Sequence, residues 1–315
     1  MASFAGVHDI LCGVSRIPPT NEMGRPTVYS FWEPAGRLPA YLQLCRSTWE
    51  LGFPGYEQVQ IDYSNLGDYV DSDTFDFEFL RRLTVPMQVD AIEVAVLAKH
   101  GGLFMDMDTI AVADVSPVLQ RLLHSEVVMF GRHMAFVAAR PGAHIMELWL
   151  RAIQQRLELA SSKRLEPTEL PWGFAGNDAL ADVLDALTGV GTQEPPIQLR
   201  HRRRDMITVR LRRRFLLASR HRRDIASLNR RKYGFIAEAA KFHEAPSQPR
   251  DRYESFWFDS DLPIDAAFTP RTTVIGLHHS WTPDWYTGLS TDEVLDHECL
   301  LSRVLRHVIT GNDAT

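Results

Sequence analysis

Cysteine is scarce in this sequence, and no apolar run is long enough to cross a membrane. The three cysteines among 315 residues are Cys12, Cys45 and Cys299. Their odd number and scattered positions give neither a disulfide framework nor a metal-ligand spacing, so we expect buried thiols in a reducing compartment. No stretch approaches the roughly 18 apolar residues of a membrane helix, and residues 1–20 lack the pattern of a secretory signal. The expected location is therefore cytoplasmic.

Charge is distributed unevenly along the chain. The net charge is −6, but residues 200–232 hold 13 arginines and one lysine against two aspartates, a local charge of +12 that leaves −18 elsewhere. Such asymmetry indicates partners rather than a fold. We expect this basic segment to be helical or irregular and to bind an anionic acceptor or, peripherally, the inner face of an anionic membrane. The alternative is a solvated face that covers the acidic remainder. No nucleic-acid partner is expected.

Strand and helix patterns alternate along the chain, which predicts an α/β sheet. Residues 27–32 favour a strand because they are rich in β-branched and aromatic side chains. The clearest helix is Thr84–His100, with Thr84 as its N-cap and Gly101 at the left-handed position after its end. A Gly-Gly turn then leads into the apolar strand Leu103–Met105. Other helices are expected at 39–51, 144–160, 177–187 and 291–309, and other strands at 57–63, 126–130, 136–139 and 274–277.

The pattern Asp-x-Asp occurs three times, at 71–73, 106–108 and 259–261. The outer two copies are interpreted as solvated acidic turns. The middle copy follows an apolar strand, and open α/β sheets bind ligands beyond the carboxyl ends of their strands. Two carboxylates there suit a hard cation such as Mg²⁺ or Mn²⁺. A cation is needed where the leaving group is a nucleoside diphosphate, because charge develops on that group.

The run from Asp90 to Asp108 resembles the sugar-binding D-x-D region of the capsular-polysaccharide-synthesis and related bacterial sugar-transferase families. Those families typically show Ser-Asp-x-x-Arg, a leucine, Tyr-Gly-Gly, an apolar run and Asp-x-Asp. Further similarity lies at 29–33, 45–49, 54–56 and 62–69, and less specifically at His278-His-Ser-Trp281. The resemblance implies one GT-A glycosyltransferase domain over 1–315, with a Rossmann-like central sheet flanked by helices. Residues 196–250 are expected to form a basic, helical insertion or a subregion on the acceptor side.

The resemblance also implies a donor site for a nucleotide sugar, most simply a UDP-sugar. Phe31 and Trp32 would bind the donor, with Trp32 stacking on the base; the alternative for Trp32 is a place in the core. Asp90 would bind a sugar hydroxyl, and Asp106 would face the ribose or the sugar.

Asp108, together with Asp106, would bind Mn²⁺ or Mg²⁺. His278 or His279 would complete the metal shell, against the alternative of purely structural histidines. Trp281 would border the donor.

The resembling families mostly retain the anomeric configuration, which implies a retaining glycosyltransferase. Asn177 and Asp178 open a helix after a Gly-rich turn and are the candidates nearest the reacting carbon; the alternative for Asn177 is a simple N-cap. The acceptor, a saccharide, a lipid-linked saccharide, a natural product or a protein, stays open.

Two departures keep other functions in view. Glu93 stands where the families have arginine, and Val89 where they have serine, which leaves the donor sugar open and retains the alternative of a non-catalytic nucleotide-sugar- or glycan-binding protein. We expect Glu93 either to accept hydrogen bonds from the donor sugar or to pair with an arginine elsewhere in the fold. A phosphohydrolase of the haloacid-dehalogenase type is a weaker alternative, because Ile110 occupies the position at which that motif requires threonine.

Overall fold

The computed structural model describes residues 26–130, 133–188, 225–228, 235–237, 249–267 and 272–311, with the backbone alone at 185–188, 225–228, 235–237 and 249. Cys12 and most of the basic segment 200–232 lie outside the described residues. Cys45 and Cys299 are buried free thiols, as predicted.

A six-stranded mixed sheet, flanked by helices, forms the centre of the fold. Its strands are β1 (Thr27–Phe31), β2 (Glu57–Ile61), β3 (Gly102–Met105), β5 (Val127–Phe130), β6 (Phe136–Ala139) and β7 (Ile225–Leu228). They lie in the order β2-β1-β3-β6-β5-β7. β1 runs parallel to β2 and β3, whereas β6 is antiparallel to both β3 and β5, and β5 is parallel to β7.

A second, three-stranded sheet lies at the end of β3. It contains β4 (Thr109–Ala111), β9 (Val274–Gly276) and β8 (Phe235–Ala237) in the order β4-β9-β8. β4 pairs antiparallel with β9, so that Thr109 lies opposite Gly276. The amide of Leu277 donates to the carbonyl of Asp108 at 2.9 Å. This pairing brings the residues after β9 to the Asp-x-Asp turn.

Helices cover both faces of the main sheet and enclose two apolar cores. The helices are α1 (Ala40–Ser47), α2 (Trp49–Gly52), α3 (Phe77–Arg82), α4 (Val85–His100), α5 (Ser116–Leu119), α6 (His144–Ser162), α7 (Asn177–Thr188), α8 (Pro249–Trp257), α9 (Asp284–Thr287), α10 (Thr291–Asp296) and α11 (Leu300–Thr310). The helix α4 packs on β1, β3 and β6 and also contacts α6, which in turn contacts α7.

The predicted α/β organisation is confirmed, and most predicted elements occur within two residues of their expected bounds. Gly101 has φ +67°, and a β-carbon there would overlap the backbone of Pro141, so the position requires glycine. Thr84 occupies the N-cap position, but its side chain makes no cap hydrogen bond in the described structure. No helix in the described part of the chain is both long and apolar enough to span a membrane.

Three predictions of local structure are wrong. Within the basic segment, residues 225–228 form a strand of the main sheet rather than helical or irregular chain. The predicted helix at 39–51 is interrupted at Thr48, which separates α1 from α2. The predicted helix at 291–309 is broken at His297, whose extended ψ of 144° ends α10 before α11 begins.

Candidate functional site

Asp106 and Asp108 stand at the carboxyl end of β3, where the chain turns into β4. The turn is closed by the amide of Thr109, which donates to the carbonyl of Asp106 at 3.1 Å. Both aspartates are half-buried, whereas Met107 between them points into the core. The alternation of side chains at the strand end thus places both carboxyls on the same side of the turn.

The segment after β9 contacts Asp108 through His279. The amide of His279 donates to Oδ2 of Asp108 at 2.7 Å, and Nδ1 of His279 is hydrogen-bonded to the hydroxyl of Tyr41 at 2.6 Å. Burial lowers the pKa of His279, although Asp108 opposes this shift. With Nδ1 engaged by Tyr41, Nε2 is the ring nitrogen left to face a ligand.

His278 and Trp281 form the adjoining wall of the site. Their rings lie 4.2 Å apart, and the ring of His278 also approaches those of Tyr253 and His133. His278 favours the charged form of both Asp106 and Asp108. Of the two predicted histidines, His279 is held by hydrogen bonds of its backbone amide and its ring. His278 interacts with the two aspartates through its charge.

Asp90 comes to the same edge of the sheet from α4. That helix runs back along β3, so its first half lies beside the end of the strand that carries Asp106. Burial raises the pKa of Asp90 to about 7, with a further contribution from Asp178. Burial also raises the pKa of Asp106 well above its usual range, followed by the charges of Asp108 and Asp90.

The turn before α7 closes the site beside Asp90. A β-carbon on Gly176 would overlap the carboxyl of Asp90, and one on Gly173 would lie 3.1 Å from the carboxyl carbon of Asp178. The predicted residues Asn177 and Asp178 therefore lie next to the donor candidate Asp90. Oδ1 of Asn177 is buried and has no hydrogen-bond partner in the described structure, so its side chain does not act there as a simple N-cap.

Glu93 is fully buried beside Asp90 and Asp106. Neither of its carboxyl oxygens has a hydrogen-bond partner among the described residues. Burial raises the pKa of Glu93 well above 4.5, and the charges of Asp106 and Asp90 raise it further. The expected arginine partner is not found in the part of the chain that the structure describes, and the carboxyl is enclosed rather than open to solvent.

The two aromatic donor candidates differ in position. Phe31 is buried in the core, with its ring edge-on to Tyr63 at 5.4 Å. Trp32 is half-buried, edge-on to His279 at 5.1 Å, and its Nε1 has no hydrogen-bond partner within the described residues. Trp32 thus lies at the site, whereas Phe31 lies behind it.

The carboxylate oxygens at this edge suit a divalent cation whose remaining ligands come from a bound substrate and from water. No three His, Cys, Asp or Glu side chains of the described residues are grouped as a ready metal site. Asp106 and Asp108 nevertheless form a half-buried carboxylate pair that no described lysine or arginine neutralises. Mg²⁺ and Mn²⁺ are commonly held by one or two carboxylates, with the remaining oxygens supplied by substrate phosphates and water.

Three features of the site were not predicted from the sequence: the hydroxyl of Tyr41, the backbone amide of His279 as a partner of Asp108, and the close approach of Gly176 to Asp90. The segment Gly173-Phe-Ala-Gly176 carried a signal for the last of these, because glycines before a helix often mark close approach. The other two depend on long-range contacts between α1, β4 and the segment after β9, which no local pattern encodes.

Comparison with known protein families finds no family that matches, and no curated protein matches either. Among solved structures, the chain is similar to one titled PaToxG Glycosyltransferase, with 14% sequence identity over 62% of this chain and 77% of that chain and a TM-score of 0.33. A likeness this weak does not define a function for this chain.

Proposed function

We propose that the protein is a metal-dependent glycosyltransferase of the GT-A type that moves a sugar from a nucleotide donor. The observation that carries the proposal is the convergence of Asp90, Asp106 and Asp108 at one edge of the sheet. α4 and the turn after β3 supply these carboxyls, and α7 and the segment after β9 add Asn177, Asp178 and His279. The sequence resemblance supplies the reaction class, and the geometry brings together the residues to which it gives roles.

Asp106 and Asp108 are proposed to hold Mn²⁺ or Mg²⁺, with His279 or His278 completing the site. The bound cation would neutralise the charge that develops on the departing nucleoside diphosphate. The amide of His279 donates to Oδ2 of Asp108 at 2.7 Å, and the other carboxyl oxygen is proposed to face the ligand. Because one oxygen is held by backbone, the carboxylate is preorganised and loses little freedom on binding.

Asp90 is proposed to bind hydroxyls of the donor sugar, and Asp106 to contact the ribose or the sugar. Trp32 and Trp281 would border the donor, with Trp32 against the base and Phe31 supporting it from the core. Glu93, enclosed behind Asp90 and Asp106, is proposed to influence which sugar is accepted. It would accept hydrogen bonds from the sugar after a local rearrangement, or set the placement of its two neighbours.

Asn177 and Asp178 are proposed to lie at the reacting carbon, because the turn that carries them contacts Asp90. We propose a UDP-sugar donor and retention of configuration, both supported by the resemblance alone. A saccharide or lipid-linked saccharide is the proposed acceptor. Residues 200–232 are proposed to contact an anionic acceptor or the inner face of a membrane, which would place a cytoplasmic enzyme peripherally at that surface.

A donor screen tests the proposal. Thermal unfolding is measured with a panel of nucleotide sugars, each with Mn²⁺ and with EDTA, because binding to the native state raises the midpoint. We expect a metal-dependent rise with at least one donor, followed by release of the nucleoside diphosphate. Binding without release by any acceptor or by water would favour the non-catalytic alternative. No rise with any nucleotide sugar would contradict the proposal.

A further inference from the structure

The turn that leads into α7 is held rigidly on several sides. Within it, the amides of Gly176 and Asp178 donate to the carbonyl of Gly173 at 3.1 and 2.9 Å. From α6, Nε1 of Trp149 donates to the carbonyl of Gly176 at 3.1 Å, and the guanidinium of Arg156 donates to the carbonyls of Phe174 in the turn and Asp178 at the start of α7, at 3.3 Å each. The backbone here is therefore fixed in place.

Trp172 projects from this fixed turn into solvent. Its neighbours in sequence Leu170 and Phe174 are buried, whereas Trp172 is 68% exposed, the highest value among the large hydrophobic residues that the structure describes. The next residue, Gly173, lies against Asp178, and Gly176 lies against Asp90. A rigid turn at the edge of the site thus presents one exposed indole, although the side chains two residues before and two residues after it are buried in the core.

The surroundings of Trp172 indicate what kind of ligand it suits. The exposed residues before it are polar, among them Glu166, Thr168 and Glu169. Trp172 is the one exposed large hydrophobic residue among the described residues between 124 and 284, and a single indole offers far less area than the roughly 800 Å² per partner that a stable protein interface buries. Glu166 is paired with Arg82 at 3.2 Å, and Glu169 accepts from the amide of Glu166 at 2.7 Å, so the two glutamates add hydrogen-bonding groups rather than a strong unpaired charge. A flat indole with a polar rim matches a sugar ring, which has an apolar C–H face edged by hydroxyls.

We propose that Trp172 forms an acceptor subsite, in which the indole stacks on a sugar ring of a saccharide acceptor. The inference rests on the proposed function, since the subsite borders the turn that carries Asn177 and Asp178. It narrows the acceptor to a molecule with a neutral sugar ring beside the reacting hydroxyl. Both a free saccharide and a lipid-linked saccharide carry such a ring.

The first experiment measures binding without turnover. Tryptophan fluorescence of the full-length chain is titrated with maltotriose, cellotriose, chitotriose and mannotriose, each free and as its decyl glycoside, in the wild type and in Trp172→Phe. We expect at least one trisaccharide to change the fluorescence of the wild type only, because Trp172 reports the contact. If the wild type binds the free saccharide and its decyl glycoside with equal affinity, the acceptor is a soluble saccharide. Tighter binding of the decyl glycoside would indicate a lipid-linked acceptor. No change with any of the eight probes would overturn the proposal.

The second experiment separates the acceptor from the donor. In Trp172→Ala, we expect the KM for the responding saccharide to rise roughly tenfold, as for loss of an aromatic anchor, while the KM for the donor and its hydrolysis by water stay unchanged. Trp172→Phe should retain most of the affinity, and Leu51→Ala, which removes another exposed apolar side chain, from α2, should have no effect. An unchanged acceptor KM, or an equal loss of donor hydrolysis, would overturn the subsite. If the wild type turns over no donor but still binds a trisaccharide through Trp172, the subsite stands and the proposed function fails.

Discussion

Replacement of Glu93 by glutamine is expected to stabilise the protein. The carboxyl of Glu93 is fully buried, neither oxygen has a hydrogen-bond partner among the described residues, and its neighbours Asp90 and Asp106 are also acidic. An unsatisfied buried polar group costs about 1–3 kcal/mol. Glutamine keeps the shape, removes the charge and offers two N–H donors to the neighbouring carboxyls. We expect a gain of about 1–3 kcal/mol in the free energy of unfolding near neutral pH.

The gain should depend on pH in a defined direction. The pKa of Glu93 in the folded protein is raised above 4.5, mainly by burial. The folded state therefore holds its proton after the unfolded state has released it, so stability is full below about pH 4.5 and is lost as pH rises through the folded pKa. In Glu93→Gln this loss disappears. The advantage of the variant should thus be small near pH 4.5 and should increase at higher pH.

Urea unfolding in EDTA, measured between about pH 5 and about pH 8, checks both statements. Glu158→Gln is the matched control, because Glu158 is exposed on α6, and such surface changes stay within about 0.5 kcal/mol. Destabilisation by Glu93→Gln at the upper end of this range would refute the reasoning, because it would mean that an ionised Glu93 is stabilised by a partner.

Four further predictions concern the proposed function. Asp108→Asn and EDTA should each abolish turnover but preserve the fold, as checked by activity and circular dichroism. Gly176→Ala should lower activity about as much as Asp90→Ala, because the added methyl group displaces the Asp90 carboxyl; Gly67→Ala, with no atom within 4 Å of its β-carbon, should leave activity unchanged. NMR of the product should show a retained anomeric linkage, and an inverted one would contradict that assignment. Anionic vesicles should sediment the protein at low salt, and charge reversal within 200–232 should prevent this.

Local sequence signals predicted the part of the fold that is continuous in the chain. Thr84–His100, the Gly-Gly turn and the strand ending at Asp106 follow one another directly, so cap position, periodicity and a required glycine at 101 fix them without long-range information. Strand β7 was not predicted because its partner, β5, lies about 100 residues earlier in the chain. Pairing with this buried strand stabilises β7 although the sequence around it is rich in charged residues. The break at His297 was not predicted because the apolar residues of α10 and α11 continue with one helical periodicity across it.

The site divides in the same way. Asp90, Asp106 and Asp108 were predicted because they lie within one continuous motif. The register between β4 and β9 brings His279 to Asp108, and the packing of α6 on α7 brings Gly176 to Asp90. Neither contact follows from residue type or spacing. A sequence motif therefore identified the residues of one α/β unit, and only the tertiary structure showed which distant segments complete it.

The charge of this site gives a reason to expect that it is built for ligands. The site contains four carboxyls that lie close together: Asp90, Glu93, Asp106 and Asp108. The neighbouring carboxyls raise the pKa values of Glu93 and Asp106. None of the four pairs with a lysine or arginine of the described chain. Buried carboxyls without such partners lower stability. A cation or a group rich in hydrogen-bond donors would reverse that cost on binding, and binding to the native state adds stability by mass action. The same arrangement that weakens the unliganded fold thus favours occupation of the site, which is the behaviour expected where function rather than stability has selected the residues.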